Sequence, residues 1–320
     1  MIGMIGVVGG PMVCSLLERC SFPPPRTDVT CAVSGGADSL ALVALSIAAG
    51  LKVAAVHVDH GLRAGTQAEA EQVVDAVATL GVLCQIRRVV VPPGPNLEAR
   101  ARQARYAVLP EDVLVGHTAD DQAETILLNL LRGAGLDGLT GMRTGTGTGR
   151  LTRRPIGRPL LRLRRAETRA LCRQLRLTPV EDPSNEDPRF LRNRVRAELL
   201  PHLAELSGRD PVPILTRQAE LLADEAALLD DLATAIDPAD ARDLSAADPV
   251  LARRAVRRWL RETAGAEHHP PSAGEVERVL SVAAGHTVAC ELPGWRRVRR
   301  SRGRLQLECL LPEHLPPEHR

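Results

Sequence analysis

Groups able to act on phosphates and amines cluster in a few short stretches of the 320-residue chain. The first is Ser34-Gly35-Gly36-Ala37-Asp38-Ser39. Its glycines allow a tight turn and close approach of backbone to ligand, and a helix starting there aims N–H groups and the positive dipole end at an anion. The Ser34 and Ser39 hydroxyls can donate to phosphate oxygens. Asp38 is repelled by bare phosphate and suits the Mg²⁺ that accompanies a nucleotide. The G-x-x-x-x-G-K-[ST] pattern is absent, because the loop has no lysine. The plain alternative is a glycine turn capped by Asp or Ser.

The second stretch holds His117, Asp120, Asp121 and Glu124. Asp120 and Glu124, four apart, share a helix face, and Asp121 points about a quarter turn away. Acids in a first turn also complement the helix dipole, yet three carboxylates with a histidine exceed that need. Such a cluster attracts cations. His57, Asp59 and His60 close an apolar run, where each histidine is either a ligand contact or a hydrogen-bonded strand-end residue; no Cys or His cluster completes a metal site with them.

Arginines supply the cations, since Lys52 is the sole lysine. Arg102 and Arg105 lie three apart, with Glu98 four before Arg102, which makes either a surface ion-pair ladder or guanidinium forks for phosphoryl groups. The net charge is only +2, but residues 150–200 carry 14 basic against 6 acidic groups. A charge run is usually a solvated face; beside a nucleotide pocket it also fits RNA phosphates. Arg296, Arg297, Arg299, Arg300, Arg302 and Arg304 form a second group next to Trp295. A third, Arg253, Arg254, Arg257, Arg258 and Arg261, reads as a solvated helix face.

The elements that must position these groups alternate. Strands are predicted over 29–33, 53–58, 82–91 and 113–116, each followed by a helical pattern (38–49, 67–80, 96–108 and 118–132). That order predicts the α/β class, a doubly wound parallel sheet binding its ligand at the carboxyl ends of the strands. A Gly-rich stretch, 133–157, reads as a lid or as disordered chain, and helices are expected over 163–177 and 192–200, the latter stopped by Pro201. A long amphipathic helix over 211–236 leads to a mainly helical C-terminal domain with helices at 249–263 and 272–284 and a hairpin of 287–292 with 303–310 around the loop PGWRRVRRS. The expected domains are a flexible leader 1–28, an α/β domain 29–205, and a connector with a small mainly helical domain 206–320. Apolar residues make up 44% and aromatics 2%, so the core is built from Leu, Val and Ala, and stacking platforms for bases are scarce. Seven cysteines without a C-x-x-C pair read as free thiols of a reducing compartment, the cytoplasm.

The loop SGGADS resembles that of the PP-loop (ATP pyrophosphatase) superfamily, which splits ATP between its α and β phosphates. Four further segments, VHVDHGLR (56–63), NLEARARQARY (96–106), GHTADDQAETILLNLLRGAGLDGLTGM (116–142) and RPLL with EDPSN and RNRVRAELLP (158–161, 181–185, 192–201), narrow the resemblance to the tRNA(Ile)-lysidine synthases. It runs from about residue 29 to 201. The resemblance implies an adenine nucleotide α hydrolase-like fold, ATP and Mg²⁺ as cofactors, and tRNA(Ile) with a CAU anticodon and L-lysine as partners, in a chain that can form a homodimer. It implies catalytic Asp38, Arg102, His117 and Asp121; ATP contacts from Ser34, Gly35, Gly36, Ala37, Asp38, Ser39 and His60; and Asp38 as metal ligand. Asp120, Asp121, Glu124 and Arg105 are then the substrate contacts, and Arg158, Arg192, Asn193 and Arg196 the RNA contacts. Two rivals are a PP-loop tRNA thiolase, which commonly needs paired cysteines, and a nucleotide-sensing RNA-binding protein without chemistry.

Overall fold

The computed structural model describes residues 10–59, 66–91, 97–110, 112–142, 156–180, 187–263 and 271–310. The chain divides into two compact units, Met1–Glu220 and Leu221–Arg320. In the first, four strands, β1 (Asp28–Ala32), β2 (Lys52–Asp59), β3 (Cys84–Arg88) and β4 (Leu114–Val115), form a parallel sheet in the order β3-β2-β1-β4. Successive side chains leave a strand on opposite faces. Val53, Ala55 and Leu114 accordingly enter one apolar cluster, while Val56, Val58, Val113 and Val115 enter another, so both faces are covered.

Helices α1 (Pro11–Leu17), α2 (Ala37–Ala48), α3 (Thr66–Ala78) and α4 (Leu97–Val108) follow in chain order, then α5 (Ala119–Leu131), the single turn α6 (Leu136–Leu139) and α7 (Arg165–Gln174). From Leu40 to Leu45 helix α2 is apolar all round. Leu40, Ala41, Leu42, Val43, Ala44 and Leu45 are all buried, as a helix without a polar face must be. Its cluster includes Leu171 and Cys172 of α7 and Val13 and Leu16 of α1.

Chain order and spatial order disagree at one place: β1 has β2 on one side and β4 on the other. At such a switch point the connections leaving the two strands diverge and open a crevice at their carboxyl ends. The segments 33–39 and 116–121 emerge there. Gly157 adds a parallel bridge beside β4, with Val115 N–H donating to its carbonyl at 2.9 Å, and brings Arg158 to the same edge.

Several expectations are corrected. Within the leader, 10–28 is described and contains α1, whose Val13 and Leu16 sit in the core; the short run of apolar residues hid a helix that starts on Pro11. Pro201 does not end its helix. The chain runs through α8 (Leu191–Arg194), a π turn (Val195–Leu199) and α9 (Leu200–Ser207), the widened turn accommodating the missing proline N–H. Of the Gly-rich stretch, α6 is ordered by Gln122, which accepts from Met142 N–H at 2.7 Å and donates to its carbonyl at 2.9 Å; 143–155 lie outside the described residues.

The second unit contains the end of α10 (Pro211–Leu232), then α11 (Ala241–Ala246), α12 (Pro249–Thr263) and α13 (Ala273–Ala284), and a three-stranded antiparallel sheet, β5 (Ala289–Leu292), β6 (Arg296–Ser301) and β7 (Arg304–Cys309). The segment expected as a hairpin loop is thus the central strand. Its inward positions are Arg296, Val298 and Arg300, so only one apolar residue marked the alternation; Arg300 donates to the Ala283 carbonyl at 2.8 Å. Arg253 and Arg254 of α12 pair with Glu277 and Asp230, and Trp295 is 61% exposed.

Leu171→Ala should destabilise the first unit by roughly 2–5 kcal/mol, as expected for truncating a fully buried leucine, and urea unfolding followed by circular dichroism measures it.

Candidate active site

Local sequence builds the loop after β1. His57 Nδ1 donates to the Val33 carbonyl at 2.8 Å, fixing the end of β1 against β2. Gly35 then adopts φ +90°, and a Cβ there would stand 2.7 Å from Val73 Cγ2, so only glycine suits the position. Ser39 Oγ donates back to the Gly36 carbonyl at 2.8 Å, and α2 begins at Ala37. The first N–H groups of any helix lack intrahelical acceptors, and here they face the crevice edge. Across it, a Cβ on Gly116 would lie 2.6 Å from the Asp38 carbonyl oxygen. Segments 34–39 and 116–121 are therefore in contact.

Thr118 caps α5. Its N–H and Oγ1 both donate to Asp121 Oδ2 at 2.9 Å, leaving Asp121 Oδ1 directed at α7. There Arg165 Nη2 donates to Asp121 Oδ1 at 2.8 Å, and Nη1 and Nη2 each reach Glu124 Oε1 at 3.1 Å. Arg165 Nε lies 3.5 Å from Asp38 Oδ2. One guanidinium, 16% exposed, thus joins the glycine loop to the acidic helix. Glu124, with its side chain 0% exposed, also accepts from Arg196 Nε at 2.7 Å and Nη2 at 3.1 Å, with Arg192 Nε at 3.9 Å. Four carboxylates, Asp38, Asp120, Asp121 and Glu124, meet four guanidiniums, those of Arg164, Arg165, Arg192 and Arg196.

Burial raises the Asp38 carboxyl above its usual range, and the neighbouring charge of Asp121 adds to that; the Thr168 hydroxyl, donating to Asp38, and Arg165 oppose it without prevailing. At Asp121 burial also pushes upward. There Arg165, His117 and the two Thr118 bonds prevail, and the carboxyl is held below its usual range. Asp120 is likewise lowered against its burial, by a fork from Arg164 at 3.1 Å and 3.1 Å and by the Arg165 N–H at 2.8 Å.

The predicted residues separate on this geometry. Asp38, Asp121 and Glu124 come together. Asp120, also expected as a substrate contact, pairs with Arg164 and the Arg165 N–H, so its oxygens dock α7 onto α5. His117 accepts from Arg158 Nε at 3.3 Å through Nδ1. Arg192 and Arg196, expected on RNA, turn into the acidic cluster, where Arg192 also donates to Thr125 Oγ1 at 2.9 Å; Asn193 donates to the Asp187 carbonyl at 2.9 Å. Arg105 is exposed on α4; the Arg102 side chain and His60 lie outside the described residues.

Sequence reasoning missed Arg164, Arg165 and Thr168, which it left in the basic belt or unremarked. The available signal was the acidic surplus at 120–124, which cannot be buried without cations.

One carboxylate beside phosphate-facing N–H groups and two serines is the donor set of a nucleotide with Mg²⁺, which binds through one or two carboxylates plus phosphate oxygens. Asp38 is the residue that could hold such an ion, and the Ser34–Ser39 loop the segment that could hold the phosphates. No group of three or more His, Cys, Asp or Glu suited to an all-protein metal site occurs among the described residues.

A PP-loop domain family model matches residues 15–203, and a TilS substrate binding domain model matches residues 240–306. The chain is 42% identical over 303 residues to the tRNA(Ile)-lysidine synthase of Nocardia farcinica, covering 89% of this chain and 93% of the relative. It is 41% identical over 310 residues to that of Salinispora tropica, covering 88% and 91%. Among solved structures, the U34-tRNA thiolase NcsA from Methanococcus maripaludis with its [4Fe-4S] cluster superposes with a TM-score of 0.51 at 16% identity, over 69% of this chain and 80% of that one. That likeness is one of fold.

The depressed Asp120 value fixes a pH dependence. Its stabilisation is fully present above the unfolded carboxyl pKa, near ~3.9, and is lost as pH falls through the lower folded value. Asp120→Asn should therefore lower the urea midpoint at pH 7, and its deficit against wild type should shrink below about pH 4, read by parallel denaturation series.

Proposed function

The chain belongs to the tRNA(Ile)-lysidine synthase family, and on that premise we propose how its residues divide the reaction. The protein is a PP-loop ligase that uses ATP to adenylate the wobble cytidine of tRNA(Ile) with a CAU anticodon and then joins L-lysine to it. The carbonyl oxygen on carbon 2 of the cytosine attacks the α-phosphate and pyrophosphate leaves. The lysine ε-amino nitrogen then attacks carbon 2, the C–O bond to the phosphate group breaks, AMP departs and lysidine remains. Adenylation replaces a poor oxide leaving group, so what the protein must supply is orientation and charge neutralisation.

A single observation supports this assignment of roles: the guanidinium of Arg165 touches Asp121 and Glu124 and lies 3.5 Å from Asp38, which brings the glycine loop and the acids proposed to bind the amine to one place. Ser34, Gly35, Gly36, Ala37 and Ser39 bind the phosphates. Asp38 holds Mg²⁺, which when bound offsets phosphate charge. Asp121 Oδ1 and Glu124 Oε1 seat the lysine ammonium, and His117 is the proposed acceptor of its proton, Arg158 being the group that must yield Nδ1. Arg102, on α4, neutralises pyrophosphate, with Arg105 one turn further along. Arg158, Arg192, Asn193 and Arg196 are the proposed RNA contacts; Arg192 and Arg196, partly exposed, would meet the RNA while still paired with Glu124. Among the described residues no helix is long and apolar enough to cross a membrane. Seven free cysteines support a cytoplasmic location, and the assembly proposed is a homodimer.

The thiolase reading gains nothing from the cysteines near the site. Cys172 donates to the Ala37 carbonyl at 3.4 Å, but burial pushes its thiol up to about 11, and that of Cys31 to about 12; neither forms a thiolate readily.

With purified protein and tRNA(Ile) bearing the CAU anticodon, radiolabelled lysine should enter the RNA with one AMP released per label; AMP without label would remove lysine as second substrate, and no AMP would leave only RNA binding. Asp38→Ala should abolish AMP formation. Asp121→Asn, which keeps an acceptor for the Thr118 cap, should preserve nucleotide binding and raise the lysine requirement by about tenfold or more, as for loss of a charge-assisted hydrogen bond, and unchanged lysine dependence would take Asp121 out of the amine seat.

A further inference from the structure

We propose that Arg165 is a displaceable counter-cation, so that nucleotide on the Ser34–Ser39 loop opens the amine seat and raises the affinity for lysine. The inference rests on the reading that Asp121 and Glu124 receive the lysine ammonium. An ammonium and a guanidinium are both donors only, and both carry a positive charge, so they compete for the same lone pairs. Arg165 holds Asp121 Oδ1 at 2.8 Å and shares Glu124 Oε1, at 3.1 Å, with Arg196 Nε at 2.7 Å.

Four observations make Arg165 the cation that leaves. Its Nε lies 3.5 Å from Asp38 Oδ2 and so stands beside the phosphate loop, whereas among the described residues the ion pairs of Arg192 and Arg196 are with the acids of α5. Both its hydrogen bonds to Glu124 fall on one oxygen, short of the two-on-two fork that phosphate can offer a guanidinium. When it goes, Glu124 keeps Arg196 at 2.7 Å and 3.1 Å, and Asp121 Oδ2 keeps both Thr118 bonds; the oxygen that loses its hydrogen bond is Asp121 Oδ1, with Arg196 Nη2 left at 3.8 Å, and there the ammonium is to sit. The Arg165 backbone N–H stays on Asp120 Oδ2 at 2.8 Å, so the side chain can turn toward phosphate without α7 moving.

Coupling of this kind is reciprocal: whatever factor nucleotide adds to lysine affinity, lysine adds to nucleotide affinity. The test is equilibrium dialysis of radiolabelled L-lysine against the full chain, with magnesium in both arms, with and without an ATP analogue whose α,β bridge is methylene. Wild type should bind lysine about tenfold or more tightly with the analogue, and the analogue about tenfold or more tightly with lysine. Arg165→Met should bind lysine nearly equally in both arms, at an affinity close to that of analogue-loaded wild type, and Arg165→Lys should recover part of the coupling. Wild-type lysine affinity that the analogue leaves within about twofold overturns the proposal, as does coupling that persists in Arg165→Met. If Arg165→Met does not fold, the wild-type reciprocity and the partial recovery in Arg165→Lys decide it alone. Asp121→Asn separates the two levels: lysine bound as tightly as by wild type in the analogue arm overturns the amine seat itself, whereas weakened lysine binding together with intact coupling in Arg165→Met overturns only the role of Arg165.

Discussion

Burying several carboxylates at one sheet edge is the constraint on which the catalytic unit depends. Removing an ion from water costs several kcal/mol unless partners surround it, and a partner lost from such a group leaves an uncompensated charge. Glu124 is wholly buried and Asp121 nearly so. The chain meets this demand with guanidiniums drawn from two distant segments, Arg164 and Arg165 at the start of α7 and Arg192 and Arg196 on the helix that carries the π turn. Much of the remaining architecture serves to hold those segments still. Arg19, just past α1, pairs with Glu167, and Glu167 accepts from the Arg164 N–H at 2.8 Å, so the N-terminal helix braces the turn that presents both arginines. Leu171 and Cys172, about two turns further along α7, anchor it in the same core as α2.

The sheet decides where the cluster stands. Because β1 lies between β2 and β4, the loop of residues 34–39 and the cap of α5 are released side by side, and glycine at 116 lets them touch. A parallel sheet covered on both faces needs continuous apolar strands, and the short runs 29–33 and 113–115 meet that need with Val, Leu, Cys and Ala. An aromatic content of 2% forces the packing onto small aliphatic side chains, and α2 shows the consequence: six consecutive Leu, Ala and Val residues fill the space between sheet and α7.

Period and composition therefore made the first unit legible. Four strand–helix repeats, the glycine loop and the acidic cap stand in the sequence with nearly their true bounds, and α12 spans 249–263 as its pattern predicts. What escaped has physical causes. Strand β6 places arginines at inward positions, where their stems pack and their heads find carbonyl groups, so alternation of hydrophobicity fails as a signal. The helix around Pro201 survives because a π turn absorbs the residue that normally ends one. Arg164 and Arg165 could not be told from the solvated arginines around them, since charge alone does not say which face of a segment turns inward; only the pairing geometry separates them from Arg162, which meets Glu220 on the surface.

Asp121 shows how one side chain can be rigid and available together. It stands at the third position of α5, where a carboxylate reaches back to the cap, and its Oδ2 receives both the N–H and the hydroxyl of Thr118 at 2.9 Å. Two bonds to one oxygen fix the carboxylate plane, so Oδ1 has a single direction, toward the guanidinium of α7. Glu124, three residues on and therefore on nearly the same face, brings Oε1 to the same nitrogen atom, Arg165 Nη2, at 3.1 Å. A pair of oxygens held this way needs no rearrangement when its cation is exchanged, which is the condition under which a charged site binds strongly at little reorganisation cost. Rigidity resides in the acids and their cap; freedom resides in the arginine, whose side chain has four torsions and a second set of acceptors within reach on the phosphate loop. An arrangement with these parts interchanged, a fixed cation and mobile acids, would bind phosphate alone. On the proposed reading, fixed acids with a movable cation let one crevice accept a polyphosphate and an amine in the same reaction.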